Sequence, residues 1–167
     1  MLLFVATGLI FQSCGKEGPQ GPQGNANVVS AEFNIASTAW SYDATNSWDL
    51  VDIPWSGITP DIVDNGTVLA YLEDGTNDWV AIPFSEAFSN GSGLSQHWTS
   101  AYTDGQMEID VQNSDFSEPA NPSGTNGITI KLVAIAGTVR KMMTNQNVNT
   151  NSYQEVEKFF KENKLTR

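Results

Sequence analysis

Cysteine is nearly absent from this sequence of 167 residues, which contains only Cys14. A lone cysteine cannot close a disulfide within the chain, and a thiolate zinc site needs several, so a disulfide scaffold and a structural zinc site are both excluded. Cys14 is followed by Gly-Lys-Glu-Gly-Pro, which suits neither a packed core nor a pocket in which a base activates a nucleophile. These absences leave chemical modification as the interpretation of Cys14.

Basic residues are almost missing from the middle of the chain. Residues 28–138 contain 15 acidic residues and one basic residue, Lys131, whereas residues 139–167 contain six basic and three acidic residues, and the whole chain carries a formal net charge of −11. Nucleic-acid binding depends on Lys and Arg that neutralise phosphates, so it is not expected here. Cations, basic partners or solubility remain as explanations of the charge.

Histidine occurs once, as His97. A serine hydrolase could pair it with Ser92 or Ser95, but the Gly-X-Ser-X-Gly sequence of a nucleophile elbow is absent. One histidine and one cysteine also supply few ligands for a transition metal. We therefore expect a protein that is not an enzyme and has no catalytic residues.

Long apolar runs are missing as well. The run at residues 2–11 has ten residues, too few for a membrane-spanning helix of about 20 residues. It fits the apolar region of a signal peptide over residues 1–13, and we expect the missing basic residues of that signal to belong to a slightly longer reading frame.

The sequence Phe11-Gln12-Ser13-Cys14 resembles a bacterial lipobox, with Phe11 where leucine is usual. This resemblance implies cleavage before Cys14 and lipidation of that residue, whose acyl chains each contribute about 0.8 kcal/mol per buried methylene to membrane binding. We therefore expect no cofactor, a covalent lipid on Cys14, and the membrane as the first partner.

Residues 14–27 form the predicted tether. They contain only two Gly-Pro-Gln triplets, whereas a collagen triple helix needs a long uninterrupted series with glycine at every third position. A collagen-type trimer is therefore not expected. An extended polyproline conformation would instead hold the body up to roughly 40 Å from the lipid surface.

Several stretches together resemble uncharacterised outer-membrane lipoproteins of Bacteroidota, such as flavobacteria and bacteroides, that have a short collagen-like Gly-Pro-X tether after the lipobox. Besides the lipobox and tether, they are "ITPDIVDNGTVLAYLEDG" at residues 58–75 and "NVNTNSYQEVEKFF" at residues 147–160. The resemblance implies an outer-membrane lipoprotein with a β-rich body, on the periplasmic face or the cell surface. In that lineage Lys16-Glu17 would be a fragment of a surface-export signal.

The body at residues 28–138 shows the alternation of half-buried strands, beginning with Val29, Ala31, Phe33 and Ile35. Further strands are predicted at residues 47–53, 67–73, 79–84, 96–103, 106–112 and 127–136. Short strands separated by turn-rich sequence, with Asp-Gly turns at residues 74–75 and 104–105, are typical of an antiparallel β-sandwich. We predict an all-β fold of about seven to eight strands.

Two helical segments are predicted beside the strands. Thr59 and Pro60 begin a short turn that Gly66 ends. Residues 139–167 are expected to form a loop and then an amphipathic helix, since Ser152 and Glu155 have the spacing of a capping box and an apolar stripe follows. The stripe is expected to pack on the sandwich, with docking onto a partner or a membrane surface as the alternative.

Ligand-binding candidates are few. Trp40 and Trp55, in predicted loops, could bind a glycan, while Trp48 and Trp79 are expected to face inward from strands. Calcium could bind to oxygens near the acidic pairs Asp61/Asp64 and Asp74/Asp78, although neither pair matches the twelve-residue calcium loop.

These patterns favour a lipid-anchored, non-catalytic envelope protein that acts as a binding or accessory module, with an envelope protein or a glycan as its partner. A carbohydrate-binding lipoprotein of a polysaccharide-uptake system is the first alternative. An envelope hydrolase of unknown class is the second.

Overall fold

The computed structural model describes residues 27–75, 78–88 and 93–165. The predicted signal peptide, Cys14, nearly all of the tether and Ser92 lie outside the described residues.

Two antiparallel sheets form the fold, as predicted, with nine strands in the described ranges rather than seven to eight. One sheet has four strands in the order β1-β9-β4-β5, and the other has five in the order β2-β3-β8-β7-β6. The strands are β1 (Val28–Ile35), β2 (Ser41–Asp43), β3 (Trp48–Pro54), β4 (Thr67–Glu73), β5 (Trp79–Ile82), β6 (Phe84–Ala87), β7 (Ser95–Thr103), β8 (Gln106–Asn113) and β9 (Ile128–Ile135). The helices are α1 (Pro60–Asn65), α2 (Gly137–Asn145) and α3 (Tyr153–Glu162), with a 3₁₀ turn at Ser37–Ala39.

The core between the sheets comes from alternating strand positions. Ile130 and Leu132 of β9 face Met107, Ile109 and Val111 of β8, and all five are buried. The predicted alternation of apolar and polar residues along each strand thus supplies the apolar side chains that pack between the two sheets.

One predicted strand, residues 79–84, is divided between the two sheets. Its first part is β5, which pairs with β4, and after Pro83 the chain continues as β6, which pairs with β7. Proline has no N–H to donate to a ladder, so Pro83 marks the crossing between sheets.

The predicted turns are present. Gly75 and Gly105 have φ angles of 73° and 75°, which a side chain would disfavour, and they lie in the β4–β5 and β7–β8 connections. Thr59 Oγ1 accepts a hydrogen bond from the Ile62 N–H, Pro60 begins α1, and Gly66 follows its last residue.

A third layer, made of α2 and α3, covers the outer face of the four-stranded sheet. Val156, Phe159 and Phe160 of α3 are buried with Val133 and Ile135 of β9. Residues 137–145 are helical, so the loop predicted at the start of residues 139–167 is wrong: Val139 and Met143, one helical turn apart, bury the same side of α2.

The predicted capping box of α3 is half formed. Ser152 Oγ accepts from the Glu155 N–H at 3.3 Å, but the Glu155 carboxylate accepts from the Asn149 N–H rather than from Ser152. The Glu155 side chain therefore binds the loop before α3 instead of the backbone N–H of the N-cap residue Ser152.

Lys131 of β9 adds polar contacts to the apolar packing between the sheet and α3. Its Nζ donates to the Tyr153 hydroxyl at 3.1 Å, pairs with Glu32 at 3.0 Å and lies 3.9 Å from the centre of the Trp79 ring. Burial acts to lower the pKa of Lys131, but the hydrogen bonds to Tyr153 and Glu32 outweigh it and raise the pKa. The charge is thus kept under the helix by specific partners.

The three layers leave one sheet face without a helix over it in the described chain, the outer face of the five-stranded sheet. Thr99, Ala101 and Thr103 of β7 point outward there and are exposed. None of the helices in the described ranges has the length and apolar character needed to cross a membrane.

Candidate functional site

The candidate site is the outer face of the five-stranded sheet, called the open face below. Its side chains alternate with the buried ones on β3, β7 and β8 and lie in cross-strand rows. The open face consists of Trp48, Leu50, Asp52, His97, Thr99, Ala101, Glu108, Asp110 and Gln112.

Three acidic side chains lie together on the open face. Asp52 of β3 is directly opposite Glu108 of β8, and Asp110 follows Glu108 on the same side of β8. Like charges in opposite positions of a sheet repel each other, so this arrangement is unfavourable in the isolated chain.

Asp110 is the most constrained of these carboxylates. It is only 7% exposed, between Leu50 and Thr99 in the neighbouring strands, and its Oδ1 atom has no hydrogen-bond partner in the described chain. Burial, and after it the charges of Glu108 and Asp52, raise the pKa of Asp110 to about 6, although a hydrogen bond with Thr99 opposes the rise. The ionised carboxylate is thus poorly compensated.

No basic side chain offsets these acids within the sheet. The sequence has no Lys or Arg between Lys16 and Lys131, so every strand of the five-stranded sheet lacks both. A positive charge placed over Asp52, Glu108 and Asp110 would have to come from another molecule or another part of the chain.

His97 lies on the open face with a serine at each ring nitrogen. Ser85 Oγ is 2.7 Å from Nδ1, and Ser95 Oγ is 3.3 Å from Nε2. The structure thus brings His97 to Ser95, as the sequence suggested, but the shorter contact is to Ser85, which only the pairing of β6 with β7 could reveal. A catalytic triad would place a carboxylate at one nitrogen, where this site has a second hydroxyl.

Trp48 also faces outward, so its predicted inward orientation is wrong. In β3 the inward positions are Asp49, Val51 and Ile53, which leaves Trp48 on the open face, partly buried, with an Nε1 atom that has no hydrogen-bond partner in the described chain. Trp79 likewise does not face the space between the sheets, because it lies under α3 with Tyr153.

Trp40 and Trp55 are both partly buried at the edge of the core. The Trp40 Nε1 atom donates to Ser123 Oγ at 2.6 Å, and its ring packs edge-on against Trp98. Trp55 packs edge-on against Phe33. Core contacts thus occupy much of both rings, while glycan binding by these residues stays a prediction.

The predicted calcium ligands are surface residues. Asp61 accepts a hydrogen bond from Asn65 within α1, Asp64 is exposed nearby, and the Asp74 N–H donates to the Asp78 carbonyl oxygen in the β4–β5 turn. In residues 27–75, 78–88 and 93–165, no group of three or more His, Cys, Asp or Glu could hold a metal ion. Calcium binding stays a prediction.

The chain matches no protein-family model, no curated protein and no solved structure.

Proposed function

We propose that this chain is a lipid-anchored, non-catalytic protein of the cell envelope that binds a basic partner through its open face. Cys14 would carry the anchor at the outer membrane and residues 15–27 would form the spacer. The β-sandwich is the binding module that this spacer holds away from the membrane.

The observation that carries the proposal is the state of Asp110 on the open face. A buried carboxylate oxygen without a hydrogen bond is costly, and the neighbouring Asp52 and Glu108 add to that cost. A Lys or Arg side chain from an envelope protein would place the opposite charge over these three carboxylates, so binding would reduce a cost that already exists in the free chain.

Trp48 favours glycan binding as the second candidate function. It lies on the open face near Gln112 and His97, and its side chain is only partly buried. Sugar-binding sites combine an aromatic ring with hydrogen-bonding side chains, as this end of the face does. A carbohydrate-binding lipoprotein of a polysaccharide-uptake system would use that end.

Affinity capture from intact cells, with the full tethered chain as bait, tests the two candidates. The first comparison is a triple variant of the open face, Asp52→Asn, Glu108→Gln and Asp110→Asn. Its matched control removes three exposed acids elsewhere, Asp61→Asn, Asp64→Asn and Asp74→Asn. A third bait carries Trp48→Ala.

A basic partner should be lost with the open-face variant and at high salt, and it should be retained by the control variant. Equal loss from both triple variants would mean that only net charge matters, which contradicts the open face as a site. A glycan that is lost with Trp48→Ala and retained by the open-face variant would favour the second candidate function.

The anchor has its own test. In cells that express Cys14→Ala, the protein should incorporate no labelled palmitate. The variant protein should also leave the membrane fraction and be found in the soluble fraction. Palmitate labelling equal to that of the wild type would place the lipid elsewhere.

A further inference from the structure

Two neighbouring cavities lie beside α2. Basic residues line them, whereas the open face is acidic. One, of about 320 Å³, lies between α2 and the end of α1, and the other, of about 490 Å³, lies between α2, the outer side of β4 and the loop that leads to α3. Both volumes are in the range of small-ligand sites. Arg140 and Thr144 line both cavities, so they form the wall between them.

Positive charge is concentrated at this wall. The Arg140 guanidinium donates one hydrogen bond, from Nη1 to the Gly66 carbonyl oxygen at 3.0 Å, which leaves most of its five N–H groups available. Lys141 is exposed beside it, and neither cation has an ion-pair partner in the described residues. Among the residues that the structure describes, no acidic one lines either cavity.

The larger cavity also has an apolar side. Leu69 of β4, Met143 of α2 and Val148 of the following loop line it, together with hydroxyl and amide side chains. A cationic wall and an apolar wall in one cavity match a molecule with an anionic group and a short apolar body.

Several contacts hold these walls in place. A side chain at Gly137 would meet the Asn65 carbonyl oxygen at 2.6 Å, so α2 begins in close contact with the end of α1. On the other side, the Tyr71 hydroxyl donates to the Thr150 carbonyl oxygen at 2.9 Å and fastens the loop to β4. The cavities are thus part of the folded structure rather than a gap beside a loose segment.

We infer that this cleft binds a small organic acid, with its carboxylate or phosphate group on Arg140 and Lys141 and its apolar body on Leu69, Met143 and Val148. Arginine is suited to this role because its planar guanidinium can donate two parallel hydrogen bonds to either anionic group. The site is separate from the open face and does not depend on the function proposed for it.

Titration of the ¹⁵N-labelled full chain with hexanoate, hexyl phosphate or hexan-1-ol, followed by amide chemical shifts, tests the inference. The two anions should shift the amide signals of residues 140–150 in a saturable way, and the neutral alcohol should not. Binding of either anion supports the site, and the tighter of the two identifies the preferred anionic group.

Variants separate this site from general charge attraction. Arg140→Gln should weaken binding at least about tenfold, the effect of losing a charge-assisted hydrogen bond. Lys158→Gln removes the same charge from an exposed position on α3 and should leave affinity unchanged. Thr144→Phe keeps the charge but places a large ring in the space that both cavities occupy, so it should abolish binding. Thr144 is exposed, and the change leaves the hydrogen bond between Arg140 and Gly66 in place.

Absence of saturable shifts in residues 140–150 with both anions would overturn the inference. Equal weakening by Arg140→Gln and Lys158→Gln would do the same, because it would show attraction by net charge alone. Shifts of the same size with hexan-1-ol would show an apolar cavity without anion recognition.

Discussion

Lys131 and Asp110 are buried ionisable residues whose surroundings differ: the first has partners that stabilise its charge and the second does not. Lys131, 9% exposed, has a carboxylate, a phenol hydroxyl and an indole ring around its ammonium group. Asp110, 7% exposed, has two acidic neighbours and one oxygen without a hydrogen bond in the described chain. The lysine is satisfied by its own molecule, whereas the aspartate is satisfied only by a proton or by a positive charge from outside.

The raised pKa of Asp110 predicts a particular dependence of stability on pH. In the folded protein this carboxyl binds a proton near pH 6, whereas in the unfolded chain it does so near its ordinary value of 3.8. The folded state therefore holds more protons between these values, and the free energy of unfolding should increase as the pH falls from about 7 to about 5.

Asp110→Asn should remove this part of the pH dependence and stabilise the protein at pH 7.5 by about 1–2 kcal/mol, allowing for screening by nearby solvent. Urea denaturation between pH 5 and 8 measures both effects. Asp64→Asn, an exposed change of the same charge, is the control. The buried Asp49, whose pKa is raised by burial and by Glu118, should keep part of the slope in both variants. A slope in Asp110→Asn equal to that of the wild type would contradict the assignment.

At the scale of elements, the sequence was informative where a local rule decides the structure. The Thr59-Pro60 start of α1 and the turns at Gly75 and Gly105 each depend on a few adjacent residues, and the structure has all of them. The apolar stripe of α3 is also a local pattern, because helical spacing alone places Val156, Phe159 and Phe160 on one side.

Other features depend on contacts between distant segments, which no local pattern reveals. An apolar residue in a strand can be buried on either face when helices cover the second face, so Trp79 could not be assigned to the helix layer from its own neighbourhood. The start of α2 has no side-chain cap at Ala136, which removes the usual signal of a helix start. The contact of His97 with Ser85 and the surroundings of Asp110 require the pairing of β6, β7, β8 and β3.

The joint between β9 and α3 leads to a prediction about Lys131. Lys131→Met keeps most of the apolar stem but removes the hydrogen bond to Tyr153, the ion pair with Glu32 and the cation–π contact with Trp79. We expect it to lower the free energy of unfolding by about 1–3 kcal/mol.

Glu32→Gln serves as the comparison for this joint. Glu32 is 56% exposed in its side chain, so its loss should cost less than about 1 kcal/mol. Chemical denaturation of both variants, followed by circular dichroism, gives the two values. If Lys131→Met were as stable as the wild type, the polar contacts of Lys131 would not stabilise the packing of α3 on the sheet.

Over the whole molecule, the two outer surfaces of the sandwich differ in both cover and charge. One sheet carries helices that contain Arg140 and the lysines of α3, and the other presents acids with no basic residue in its strands. The five-stranded sheet thus presents an acidic surface. On the opposite side, Arg140 and Lys141 make α2 cationic, whereas α3 contains three glutamates beside its two lysines. The acidic sheet suits a cationic partner, and the α2 part of the helical layer suits an anionic group.

The helical layer should be required for folding, which a shortened chain tests. Removal of residues 148–167 would expose Tyr71, Val133 and Ile135 of the four-stranded sheet and would remove the buried side chains of α3. At about 1.5–3 kcal/mol for each large apolar side chain, the loss is comparable to the whole stability of a typical domain, about 5–15 kcal/mol. We expect the chain that ends at Asn147 to show no cooperative thermal unfolding.

The full-length variant Lys158→Gln/Lys161→Gln, which changes only exposed charges of α3, should unfold as the wild type does. Cooperative unfolding of the shortened chain at the wild-type temperature would mean that the two sheets are stable alone, and α3 would then be free to bind a partner or a membrane surface instead.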